Sequence, residues 1–96
     1  MPQYLILAND FTDAESSTRR LAAREQHLER MRIEKVKGTF IIGGAKLNEQ
    51  GNMCGSMLVV NFENADAVKK WLDEDPYITG KVWDNFEVIP FRVAGV

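Results

Sequence analysis

At 96 residues the chain has room for one hydrophobic core and not two, and its 45% apolar and 27% charged content is that of an ordinary folded protein, neither disordered nor fibrous. A net charge of −2, with acids and bases interspersed, argues against a nucleic-acid partner, which a basic face would hold by neutralising phosphates. The single cysteine, Cys54, excludes an intramolecular disulfide and fits a reducing compartment; within a strand-like run it reads as a buried, inert thiol. The start Met1-Pro2-Gln3-Tyr4 lacks the basic-then-apolar order of a signal peptide, and no apolar run approaches the about 20 residues of a membrane span. A cytoplasmic location without a membrane partner is the expectation.

In chain order, Gln3 to Ala8 is a short apolar run ended by Asn9, Asp10, Thr12 and Asp13, which predicts a buried strand and a loop. Good helix formers dominate from Glu15 to Val36, with Ser16 and Ser17 available as caps and Gly38 where a helix C-terminus wants it. Thr39 to Leu47 and Cys54 to Phe62 are rich in β-branched, aromatic and other apolar residues. The turn-forming stretch from Asn48 to Asn52 joins them into a predicted β-hairpin. Asn64 can cap a helix carrying Ala65, Val68, Trp71 and Leu72 at helical spacing, and Pro76 stops it. A last strand runs from Trp83 to Val93, where Pro90 marks an edge or an end. The order is βαββαβ, a ferredoxin-like α+β arrangement in one domain over residues 1–96.

Strand residues alternate between the faces of a sheet. Tyr4 and Ile6 oppose Leu5 and Leu7, Phe40 and Ile42 oppose Ile41, and Leu58, Val60 and Phe62 oppose Met57 and Val59, so both faces are apolar. Two helices cover only one face of so small a sheet, and the other would be a larger apolar patch than a monomer normally shows. The expectation is a homodimer packed sheet against sheet, alone or within a higher oligomer. The alternative is that the second face is a ligand groove.

Candidate chemistry centres on two segments. On the long helix, Leu21, Leu28 and Met31 define the expected apolar arc, with Arg24 inside it and His27, the only histidine, at its edge. Arg24 and His27 are three apart and so neighbours on one surface; in the simpler reading, Arg24 snorkels to solvent or pairs with a carboxylate and His27 is solvated. In Asp73-Glu74-Asp75-Pro76-Tyr77, three acids crowd a helix C-terminus, where they oppose the macrodipole, so one of them is expected to have another task. An imidazole titrates near neutral pH, as a general acid or base must, and a carboxylate on its other nitrogen would fix its tautomer. Asp75 is the candidate partner. A lone histidine argues against a zinc or iron site, and no phosphate-binding or dinucleotide motif occurs, so neither a metal nor another cofactor is expected. Gly43-Gly44 and Gly55-Ser56 would allow close approach of backbone and ligand, or only avoid a packing clash.

Arg24-x-x-His27-Leu28, Gly43-Gly44, Gly55-Ser56, Asp73-Glu74-Asp75-Pro76-Tyr77 and Pro90-Phe91, in this order and spacing, resemble the YciI-like (YCII-related) proteins over nearly the whole chain. The resemblance implies a ferredoxin-like fold that dimerises into an α/β barrel, as in the muconolactone-isomerase-like group. It also implies an active site at His27 and Asp75, with Arg24, Ser56 and Tyr77 lining the pocket. Some members are linked to lyase or dehydrochlorinase-type chemistry on small cyclic compounds. Gly43-Gly44-Ala45 stands where many relatives have Gly-Pro, which changes the pocket floor.

The leading expectation is a cofactor-independent lyase, isomerase or hydrolase acting on a small anionic or phenolic molecule. Asp75 would orient His27, His27 would move a proton, and Arg24 would hold or polarise an oxygen. The alternative is a non-catalytic domain that binds or senses a small molecule. An RNA-binding βαββαβ module would need exposed aromatics beside basic residues on its middle strands, and Met57 to Val60 supplies neither.

Overall fold

The computed structural model describes residues 1–96. In it β1 (Gln3–Asp10) leads into α1 (Ser16–Lys37), and the hairpin β2 (Phe40–Leu47) and β3 (Met53–Asn61) follows. Then come α2 (Ala65–Asp73), a single turn α3 (Pro76–Thr79) and β4 (Trp83–Phe91). The strands form one antiparallel sheet in the order β2-β3-β1-β4, which is the ferredoxin-like fold. No helix is long and apolar enough to cross a membrane.

Local chemistry sets the element ends. Gly38 closes α1 in the left-handed conformation, φ 84°, and its N–H and that of Thr39 return to the carbonyls of Lys35 and Glu34. The expected serine caps are not used: Glu15 stands at the N-cap, with no side-chain hydrogen bond. Asn64 does cap α2, its side chain accepting from the Ala67 N–H at 2.9 Å. Pro76 both ends one helix and begins another. It occupies the first turn of α3, where its missing N–H costs nothing, and Asp75 before it, held extended, is the N-cap.

Ile6 and Ala8 of β1 and Leu58 and Val60 of β3 meet Met31, Val68, Leu72, Tyr77, Val82 and Trp83 in one core on the helical side of the sheet. Leu5, Leu7, Met57, Val59 and Ile89 point to the other side, which no helix of the chain covers. Simple alternation fails in β2. Phe40 pairs with Val60 but Ile42 with Val59, so a bulge at Ile41 places Phe40 against the core and Ile42, 56% exposed, on the bare face. The same shift turns Gly43 and Ala45, paired with Leu58 and Ser56, toward the helices.

The buried arc of α1 also differs from the one that hydrophobic spacing predicts. Leu21 is 66% exposed, while Arg20, His27 and Met31 are buried. Cys54 is half-buried, not fully enclosed as expected.

Candidate active site

α1 lies over the sheet beside the hairpin, and between it and β2 the chain forms a cleft of about 480 Å³. Arg20, Arg24, His27, Leu28, Met31 and Lys35 supply the helical wall, and Phe40, Gly43, Ala45, Ser56 and Leu58 the sheet wall. Gly43 is required there. A β-carbon on it would lie 2.7 Å from the Met57 carbonyl oxygen, 2.8 Å from a Leu58 methyl and 3.0 Å from the Phe40 ring. Gly55 answers to packing alone, because its missing β-carbon leaves room for the Ala8 carbonyl and the Lys46 side chain.

His27 and Asp75 meet at one end of this cleft. His27 Nδ1 lies 2.8 Å from Asp75 Oδ1, and both residues are buried. A carboxylate accepts, so Nδ1 carries the proton and Nε2 is left as the basic nitrogen. Asp75 is itself tightly held. Oδ1 also accepts the Tyr77 backbone N–H at 2.9 Å, the N-cap bond of α3, and Oδ2 accepts from Arg30 at 2.8 Å. Arg30 reaches on to the Trp71 carbonyl at 2.8 Å, so it ties α1 directly to α2 and, through Asp75, to the start of α3. This accounts for the acidic run: Asp73 and Glu74 are solvated, and Asp75 turns inward.

Tyr77 is the spacer of a three-layer stack. The His27 ring lies on it with centroids 3.8 Å apart and planes 9° from parallel, and the Arg20 guanidinium sits 4.8 Å from the ring centre. Burial pushes the Tyr77 phenol above its ordinary value, against the opposing influence of Arg20 and Arg24, so it remains a protonated donor at neutral pH. Ser56 sits beneath, its hydroxyl accepting from Arg20 and from the Trp83 indole, each at 3.1 Å.

All five residues singled out from the sequence therefore border one site: His27, Arg24, Ser56 and Tyr77 line the cleft, and Asp75 backs the histidine. Arg20 and Arg30 belong to it as well and were not expected. Arg20 is buried against Asp10, with contacts of 2.8 and 2.9 Å, and its Nε–H has no partner. Hydrophobic periodicity cannot reveal a buried guanidinium. The available signal is spacing: Arg20, Arg24, His27 and Met31 recur at i, i+4, i+7 and i+11, a single helical face.

A model of the YCII-related domain matches residues 2–92. The protein YciI of Escherichia coli O6:H1 is 32% identical over 95 residues, an alignment spanning 93% of this chain and 95% of that protein. An uncharacterised protein of Haemophilus influenzae is 30% identical over the same lengths. Among solved structures, the 5-chloro-2-hydroxyhydroquinone dehydrochlorinase TftG of Burkholderia phenoliruptrix, in complex with 2,5-dihydroxybenzoquinone, superposes with a TM-score of 0.80. It is 21% identical, with 96% of this chain and 95% of that one covered. A conserved protein of Methanosarcina mazei shares the fold more loosely, with a TM-score of 0.56 at 11% identity and 96% and 93% coverage. The match to the domain model over almost the entire chain, together with the YciI identity, places this protein in the YCII-related (YciI-like) family.

Proposed function

We propose that this protein is a cofactor-independent enzyme of lyase, isomerase or hydrolase type that moves a proton on a small anionic or phenolic molecule. The observation that carries this reading is the buried 2.8 Å contact of His27 with Asp75 beside a cleft of substrate size. Asp75 fixes the tautomer and stabilises the imidazolium once it forms; His27 Nε2 takes the proton. In an elimination the C–H or O–H electron pair then moves into the substrate as the leaving group departs with its own pair. Arg24 and the Tyr77 phenol meet the oxygen on which negative charge gathers. That a protein of the same fold is a dehydrochlorinase supports elimination as the first reaction to test.

The test uses 5-chloro-2-hydroxyhydroquinone and related halogenated phenols as probes, with release of halide as the measurement. Replacing His27 with Ala is expected to lower turnover by about 100- to 10,000-fold, the usual contribution of a positioned acid or base. Turnover equal to that of the unaltered protein would remove His27 from the mechanism.

The reading includes a second copy of the chain on the uncovered sheet face. Leu5, Leu7, Met57 and Val59 lie there at the centre of the sheet, and Ile42 and Phe91 carry the apolar surface to both edges.

A further inference from the structure

The helical wall of the cleft bears a regular pattern of which the proposed reaction at His27 uses only the first residue. Arg24, Leu28, Met31 and Lys35 stand at i, i+4, i+7 and i+11, so they form one stripe along α1, and all four line the cleft. The stripe is cationic at both ends and apolar between. Three turns separate Arg24 from Lys35, about 16 Å along the helix axis at the standard rise. Across from the apolar middle stand Phe40 and Leu58, and Gly43 adds no side chain to the space.

The charges at the two ends of the stripe, Arg24 and Lys35, are not neutralised by a carboxylate. The cleft lining contains Arg20, Arg24, Arg32 and Lys35 and no carboxylate, in a chain whose net charge is −2. Asp10 compensates Arg20 in the interior, and Glu25 and Glu29 pair with Arg32 at the surface. Arg24 and Lys35 enter no ion pair. The Lys35 ammonium donates to the Ile41 carbonyl and stands 5.9 Å from the centre of the Phe40 ring, which holds it at the far end of the cleft. A molecule with one acidic group would leave one of these two cations without an anionic partner.

We infer that the cleft takes an elongated, two-headed anion: one acidic group on Arg24 beside the His27–Asp75 pair, an apolar middle on Leu28, Met31, Phe40 and Leu58, and a second acidic group on Lys35. The inference rests on the proposed reading of this cleft as the substrate site, and adds the second head and the residue that selects it. Lys35 is thus a specificity-determining residue placed about three helical turns from Arg24.

The experiment measures equilibrium binding of decanedioate, decanoate and the corresponding diol by titration calorimetry, at low and at high salt. Decanedioate is expected to bind at least about tenfold more tightly than decanoate, which corresponds to one additional charge-assisted contact. The diol should bind more weakly than either. Lys35→Met should abolish the preference for decanedioate over decanoate, and high salt should narrow the gap in the unaltered protein. Equal affinity for the two acids, diol binding as tight as that of the dianion, or an undiminished preference in Lys35→Met would each overturn the inference. Binding needs no turnover. Repeating the series in His27→Ala therefore tests the second head independently of whether His27 moves a proton.

Discussion

Asp75 has no exposed surface, yet its two carboxylate oxygens serve three donors: the imidazole of His27, the guanidinium of Arg30 and the backbone N–H of Tyr77. Replacing Asp75 with Asn keeps the shape but offers one acceptor oxygen. If that oxygen continues to serve His27 and Tyr77, the new amide N–H₂ faces the Arg30 cation, donor against donor. The expected loss of stability is about 3 kcal/mol, read from denaturant unfolding, since one partner of a buried ion pair is left uncompensated. Adding Arg30→Met should restore part of that loss by removing the stranded cation, a coupling that two independent sites would not show. At this scale the histidine and its aspartate were legible from chemistry and family pattern together. Arg20 and Arg30 were not, because their placement depends on Asp10, Asp75 and Trp71, which only the fold brings near them.

The elements show why the fold was easier to read than its details. Helices and strands were legible where a period and a stop signal agreed: the long polar-apolar run closed by Gly38, and the hairpin around Asn48 to Asn52. What escaped were the places where one residue acts on two elements. Pro76 starts α3 as well as ending α2, and the bulge at Ile41 reverses the faces that plain alternation assigns to Ile42 and Gly43. Two glycines separate the kinds of constraint involved. Gly38→Ala meets no neighbour within 4 Å but must hold a left-handed conformation, so a loss of about 1 kcal/mol with unchanged ligand binding is expected. Gly43→Ala carries the opposite constraint. Its new methyl collides with the Met57 carbonyl and Leu58, which is expected to cost about 1–3 kcal/mol and to weaken decanedioate binding in the same titration, because Gly43 is part of the cleft wall. Wild-type affinity in Gly43→Ala would show that the sheet wall does not shape the site.

For the whole molecule, β2 connects the cleft to the surface behind the sheet. It is an edge strand, with Gly43 facing the cleft and Ile42 facing the uncovered side, so whatever packs on that side also fixes the cleft wall. Sheets packed face to face lie about 10 Å apart with their side chains interdigitated, an arrangement that the apolar central row of Leu5, Leu7, Met57 and Val59 can form with a copy of itself. Light scattering at micromolar concentration is therefore expected to give twice the chain mass of 10.9 kDa. Leu5→Lys places an unpaired ammonium in the middle of that face and should give the single-chain mass with an unchanged far-ultraviolet circular dichroism spectrum. If dimerisation is what holds β2 in place, this monomeric variant should also bind decanedioate more weakly although residue 5 lies on the far side of the sheet from the cleft. A monomeric unaltered protein would refute the dimer outright. A monomeric Leu5→Lys with full affinity would show instead that one chain builds the whole site by itself, leaving the apolar face with a role in assembly alone.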